Sequence, residues 1–257
     1  MNHYTFRDNF PDNVVYGPQP QGLNYFTTTR VGGHSQGPWR SWNLGAHCGD
    51  EQTKVQQNQT LLQSLLPGPI RWLDQVHGAQ VVQYKHHNKE PVAVYTADAA
   101  FTRDANCVLA VLTADCLPIV ISDAGSSIVA VVHAGWRGLA AGVVSQVAAA
   151  LQRHSAATQW FAWLGPAIGP QHFEVGHDVY VAFTQDSPQD AQYFKPLGAD
   201  KWLADLPNLA RLRLQRSFAG QVQVHQSGHC TYANDELFYS YRREGITGRM
   251  ATVAWLG

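Results

Sequence analysis

The chain is short of charge. Asp, Glu, Lys and Arg together make up 14% of its 257 residues, against about a quarter in ordinary soluble domains. Hydrophobic residues make up 45%, which excludes a disordered chain, because such chains are polar and charge-rich. A basic excess is also missing, since 18 Lys and Arg face 19 Asp and Glu. A nucleic-acid binder neutralises phosphates with surplus cations, so none is expected as a partner. No run of about 18 apolar residues occurs, so no membrane-spanning helix is expected. Residues 1–11 are polar and lack the apolar core of a signal peptide. Four cysteines, Cys48, Cys107, Cys116 and Cys230, are too few for a disulfide framework and form no CxxC pair. Linkers, fixed-period repeats and low-complexity tracts are absent, and the most polar loop, residues 85–91, is too short to separate domains. These absences predict a single domain over residues 1–257, cytoplasmic, with reduced thiols and small-molecule partners.

Histidine is what the chain does have, twelve in all, and this residue supplies both metal ligands and acid–base groups near neutral pH. The middle third shows the clearest order. Val108–Thr113 is a continuous apolar run, the mark of a strand buried on both faces. Residues 118–125 and 128–133 read as two more strands. Beyond them Leu139, Val143, Val147 and Leu151 recur every four residues beside Ala140, Val144 and Ala148, which predicts one helix lying on a sheet. A second helix is expected with Asp205 as its cap and Pro207 in its first turn. Its apolar face is Leu206, Leu209, Ala210, Leu214 and Phe218. Trp160–Leu164, 222–225 and 250–255 read as further strands. Helices and strands mix without strict alternation, so the expected class is α/β, a layered sandwich with mixed β-sheets.

Three segments place a candidate ligand where a strand ends: Gln75-Val76-His77-Gly78, Thr113-Ala114-Asp115-Cys116-Leu117-Pro118 and His133-Ala134-Gly135-Trp136-Arg137-Gly138. Strand-end loops are where sheet proteins assemble sites, because a rigid sheet aims distant residues at one point. Two imidazoles and a thiolate leave a tetrahedral zinc one free position, as a catalytic site requires. The separations match no zinc-finger spacing, so a satisfied structural histidine remains open for His77 and for His133 on spacing alone. Cys107 reads as a small core hydrophobe, Cys230 has no ligand-type partner at zinc spacing, and Cys48 is not read as a ligand.

These three motifs resemble the YfiH family, also known as the multicopper polyphenol oxidase or laccase family, whose bacterial members are also called peptidoglycan editing factors or purine nucleoside phosphorylases. The resemblance runs from Thr27 to the C-terminus. It includes Thr28-Thr29-Arg30-Val31-Gly32-Gly33, Ser41-Trp42-Asn43-Leu44-Gly45, Phe173-Glu174-Val175-Gly176, Cys230-Thr231 and Ser240-Tyr241-Arg242-Arg243-Glu244-Gly245. Departures fall at His34, Trp42, Cys48 and Leu237, none of them a proposed ligand. The resemblance implies zinc held by His77, Cys116 and His133, with copper as a possible occupant, and catalysis by these same three residues. It also implies the layered fold shared by YfiH-like proteins and Cys-His deamidase toxins. The implied activity is phosphorolysis of adenosine, inosine and methylthioadenosine, with deamination of adenosine. Its partners are then a purine nucleoside and phosphate, and the chain a monomer or homodimer.

Further candidates carry two readings each. Arg30 holds an anion or is a surface charge. Asn43 and His47 hydrogen-bond a purine or ribose edge or cap a loop. Arg137, in the first turn after His133, meets phosphate or forms a surface ion pair. Arg243, with Arg242, lies on a solvated face or, by the resemblance, on the substrate side. Asp115 is read as shaping its turn. A general acid is the missing part, and Glu174 is the nearest motif-borne glutamate offered for it. Three other functions stay open. A copper oxidase of phenols is disfavoured by only two methionines and no His-x-His motif. A metal-free Cys-His hydrolase would use Cys116 as nucleophile and His133 as base. An editing hydrolase would act on muramyl precursors.

Overall fold

The computed structural model describes residues 13–85 and 94–257. The polar segment 1–11 and residues 86–91 of the expected loop lie outside the described residues. In chain order the first strands are β1 (Val14–Val15), β2 (Leu23–Thr28), β3 (Ile70–Arg71), β4 (Leu73–Asp74), β5 (Val81–Gln83), β6 (Tyr95–Thr96) and β7 (Ala99–Thr102). Then come β8 (Val108–Thr113), β9 (Leu117–Asp123), β10 (Val129–Ala134), β11 (Trp160–Leu164) and β12 (Glu174–Gly176). The last are β13 (Phe194–Gly198), β14 (Lys201–Ala204), β15 (Val222–Gln226) and β16 (Met250–Leu256). The helices are α1 (Gln52–Ser64), α2 (Trp136–Ala140), α3 (Val143–His154), α4 (His177–Thr184), α5 (Leu206–Ser217) and α6 (Tyr241–Glu244).

Two mixed sheets dominate, ordered β1-β2-β16-β8-β3 and β15-β11-β9-β10-β7-β5. Side-chain alternation explains how they stack, because successive residues of a strand face opposite sides. In the first sheet Tyr25, Leu109, Val111 and Ala254 share a core with Val120, Val131, Phe161 and Trp163 of the second, so the sheets face each other. The opposite residues of the first sheet, Phe26, Val108, Ala110 and Val253, pack with Leu62 of α1. Those of the second, Ile119, Ile121, Ala130 and Val132, pack under Val143, Val147 and Leu151 of α3 and Leu209 and Leu214 of α5. The fold is therefore a mixed α/β sandwich in four layers, helix, sheet, sheet, helix. Both sheets are covered on both faces, which is why β8, β9 and β16 read as nearly unbroken apolar runs.

The Asp205 cap forms as the sequence predicts, its carboxylate accepting the Asn208 N–H at 3.0 Å. The helix expected across Leu139 and Val143 does not form as one piece. Gly142 sits at φ +89° and breaks it into α2 and α3, because a left-handed residue cannot continue a right-handed helix. The apolar stripe continues across the break, with Leu139 and Val143 both in the same core. No helix among the described residues is long and apolar enough to cross a membrane.

Candidate metal centre

Register assembles the site. Strand β10 runs antiparallel to both β9 and β7, pairing His133 with Pro118 and Val132 with Ala99. The end of β10 therefore lies beside the starts of its two neighbours. Alternation puts His133 on the inter-sheet face with Val131, and Cys116 falls on that face by the parity of Pro118 and Val120. Asp98, one residue before β7, lies there too, and its carbonyl accepts the His133 amide at 2.7 Å. His77 arrives from the loop after β4. That loop is pinned to the end of β8 by Gln75, whose amide donates to the Leu112 carbonyl at 2.9 Å and accepts the Leu112 N–H at 2.7 Å.

The donor atoms of His77, Cys116 and His133 lie within 4.8 Å of one another, and among the described residues this is the one such cluster. Sγ of Cys116 is 3.8 Å from Nε2 of His77. The two imidazole rings meet edge to face, with centroids 4.8 Å apart. Nδ1 of His133 is 2.7 Å from Oδ1 of the fully buried Asp98. An ionised carboxylate only accepts, so Nδ1 carries a proton, and Nε2 is the nitrogen left to bind a metal once a metal displaces its own proton. Two imidazoles and a thiolate, with a carboxylate behind one of them, form a donor set that fits a borderline divalent cation.

Electrostatics agree with this donor set. Burial alone would raise the Cys116 thiol, but the His133 and His77 imidazoles outweigh it and hold the pKa down at about 6. Burial would lower His133, but the Cys116 thiolate and Asp98 raise it to about 9. Burial pushes the Asp98 carboxyl up, and hydrogen bonds from His133, Gly78 and His77 bring it below its ordinary value. Two residues of the site occupy left-handed backbone, His77 and Asp115, at φ 60° and 88°. Such non-glycine positions persist only where surroundings hold them. Asp115 is held through its carboxylate, which accepts from Thr231 Oγ1 at 2.7 Å, Ser240 Oγ at 3.0 Å and the Arg242 amide at 2.7 Å. This is turn shaping, and it also ties the C-terminal loops to the Cys116 segment.

The cluster opens into a cleft of about 620 Å³ whose lining includes His47, Thr113, Arg137, Tyr241 and Arg249. His47 and Arg137 thus reach it. Burial, with the nearby Arg249 charge, lowers the His47 pKa. The Arg137 guanidinium lies over the Trp136 ring, 4.5 Å from its centroid. The other sequence candidates are placed elsewhere. Arg30 pairs with Glu244 at 2.8 Å and donates to the Asp235 and Arg40 carbonyls. Asn43 is buried and holds the loops together, accepting the Gly45 and Arg249 amides and donating to Asp50. Arg243 clamps the Thr231, Tyr232 and Phe238 carbonyls, each at 2.7 Å. Glu174 pairs with Lys201 at 3.0 Å on the surface.

Sequence reasoning passed over Asp98, Thr113, Tyr241 and Arg249. For Asp98 a signal existed, a lone carboxylate inside the otherwise apolar Ala97-Asp98-Ala99-Ala100-Phe101. Tyr241 lay inside the Ser240–Gly245 motif, but only the folded chain brings it and Arg249 into the cleft that His77 lines.

Residues 24–257 match the family described as multi-copper polyphenol oxidoreductase laccase. The Escherichia coli protein named purine nucleoside phosphorylase YfiH is 43% identical over 245 residues, covering 95% of this chain and 98% of that protein. A relative of the same description from Pseudomonas aeruginosa is 41% identical, covering 93% and 96%. Among solved structures, a Neisseria meningitidis protein superposes with a TM-score of 0.87 at 40% identity, covering 95% of this chain and 98% of the other. YlmD of Geobacillus stearothermophilus gives 0.85 at 30% identity, covering 93% and 94%.

Proposed function

The chain belongs to the multi-copper polyphenol oxidoreductase laccase family, the YfiH family, and from that membership we propose a zinc-dependent enzyme that cleaves purine nucleosides with phosphate and deaminates adenosine. Relatedness to an enzyme family and the His-Cys-His cluster together support metal-dependent catalysis. The observation that carries the reading is that His77, Cys116 and His133 converge at the head of a cleft large enough for a nucleoside.

When bound, zinc supplies Lewis acidity and lowers the pKa of a water in its open position toward about 7. The chain's own residues do the rest. Cys116 offers a thiolate at neutral pH, and His77 and His133 offer Nε2. The exposed Tyr241 ring gives the cleft an aromatic wall on which a planar base can lie, and His47 stands at its rim. Arg137 has no ion-pair partner among the described residues, so its guanidinium is available to a phosphate. In phosphorolysis a phosphate oxygen forms a bond to the ribose anomeric carbon while the bond to the purine nitrogen breaks. The purine leaves and takes up a proton. Arg30, Asn43 and Arg243 serve this site by holding the loops that frame it.

A copper oxidase is less well supported, because electron transfer through several coppers needs several donor clusters and the described residues hold one. The low Cys116 pKa gives one observation in favour of a metal-free Cys-His hydrolase, with Cys116 attacking and His133 donating the proton. Loss of turnover on chelation, restored by zinc, separates the two.

The test is release of hypoxanthine from inosine with and without phosphate. Phosphate-dependent release is expected, with Cys116→Ser inactive yet folded. Arg137→Ala should raise the phosphate KM about tenfold or more, since a charge-assisted hydrogen bond contributes about 1.5–3 kcal/mol, and should disturb adenosine deamination less. No purine release above background in zinc-loaded protein would overturn the reading. Hydrolysis of serine-containing muramyl precursors in its place would assign the editing role.

A further inference from the structure

We propose that Asp98 is the positioning residue on which both histidine donors depend. Its carboxylate sets the proton of one imidazole and holds the backbone that carries the other. The proposal rests on the metal reading above, and the experiment is chosen so that the two fail differently.

Asp98 is fully buried, between Ala97 and Ala99, which are fully buried as well. A lone buried carboxylate is costly unless donors surround it. Here the donors come from the two histidine-bearing segments. Oδ1 accepts the His77 amide at 2.9 Å and His133 Nδ1–H at 2.7 Å. Oδ2 accepts the Val76 amide at 3.2 Å and the Gly78 amide at 2.6 Å. One oxygen therefore touches both histidine residues, and its neighbour closes the loop around His77.

Each contact has a separate consequence. The Nδ1–H donation commits that nitrogen to Asp98 and leaves Nε2, the nitrogen facing Cys116 and His77, as the one a metal can take. The three amide contacts hold His77 at φ 60°, a conformation an L residue rarely keeps without such support. The site is thus arranged by the protein before any ion arrives.

Replacement by asparagine tests this because its shape is the same and its chemistry is not. With the amide nitrogen in the Oδ1 position, two donors face it: the His77 N–H is stranded, and His133 must move its proton to Nε2, which closes that atom to a metal. With the nitrogen in the Oδ2 position, the Val76 and Gly78 amides lose their acceptor. In both orientations at least one histidine loses the contact that positions it.

The experiment is zinc affinity by competition with a chromophoric chelator, on wild type, Asp98→Asn and Asp123→Asn. Asp123 is also a buried carboxylate, bonded to the Ser127 amide and to the Ser127 and Ser155 hydroxyls at the far end of β9, so it reports what loss of any such group does. Asp98→Asn should bind zinc about 10–100-fold more weakly, and Asp123→Asn as wild type does, whatever the two melting temperatures. In zinc-loaded wild type labelled with ¹⁵N-histidine, His133 should carry its proton on Nδ1. This second readout stands even if Asp98→Asn does not fold. Equal affinity in wild type and a folded Asp98→Asn, or a proton on Nε2 of His133 in the loaded wild type, overturns the assignment and leaves the metal reading standing. Failure of wild type to bind zinc overturns both.

Discussion

Cys116 is the residue whose chemistry the fold changes most. Its thiol falls from an ordinary value near 9 to about 6, and its partner His133 rises to about 9. The two shifts have opposite signs in pH. A group with a depressed pKa adds stability above its unfolded value and loses it as pH falls through the folded one. A group with a raised pKa adds stability below its unfolded value and loses it as pH rises through the folded one. In the metal-stripped protein the pair therefore stands as thiolate and imidazolium between about pH 6 and 9. Iodoacetamide should modify Cys116 with a rate that is half-maximal near pH 6 and flat above pH 7. Burial raises the thiols of Cys48 and Cys107, so they should not react in that range. A Cys116 rate still climbing tenfold per pH unit above 7 would contradict the electrostatic account.

Elements were legible where a local pattern decided them and illegible where a distant contact did. β8, β9 and β11 follow from apolar runs, and α5 from its cap and first-turn proline. The break at Gly142 was not legible, because the apolar stripe repeats straight through it. The His77, Cys116 and His133 motifs stood out at strand ends, yet their convergence depends on the register between β10 and its neighbours. Arg30, Asn43 and Arg243 each carried a ligand reading beside a structural one, and folding gives their polar groups to neighbouring loops. Asp98 went unread because its four donors come from two other segments. At this scale Gly138 in α2 makes a sharp test. A Cβ there would stand 2.7 Å from the Gly78 carbonyl oxygen, and that oxygen belongs to the loop Asp98 holds. Gly138→Ala should cost about 1–3 kcal/mol of stability and weaken zinc binding with far-ultraviolet circular dichroism unchanged. Thermal melting and chelator competition check this, and wild-type affinity in the variant would show that α2 and the His77 loop are not coupled.

At the scale of the molecule, the layered class followed from composition and pattern, but the layer order required the two faces of each sheet to be assigned. β16, the last strand, pairs with both β2 and β8, so the two ends of the described chain meet inside one sheet. Three core clusters fill the spaces between the four layers. A core of this extent does not depend on one ion. Chelation should therefore abolish turnover while leaving the circular dichroism spectrum intact, and calorimetry should give one melting transition, as a single domain over residues 1–257 requires. Two resolved transitions would refute that domain organisation, and collapse on chelation would make the metal structural.

One ion held by His77, Cys116 and His133 is the centre of the proposed chemistry. Its most direct measurement is the metal content of wild type and Cys116→Ala, both purified without added metal and analysed by mass spectrometry. About one zinc per wild-type chain is expected, from three protein ligands and one open position, and almost none in Cys116→Ala. Equal zinc in the two proteins, or copper in place of zinc in the wild type, would contradict it.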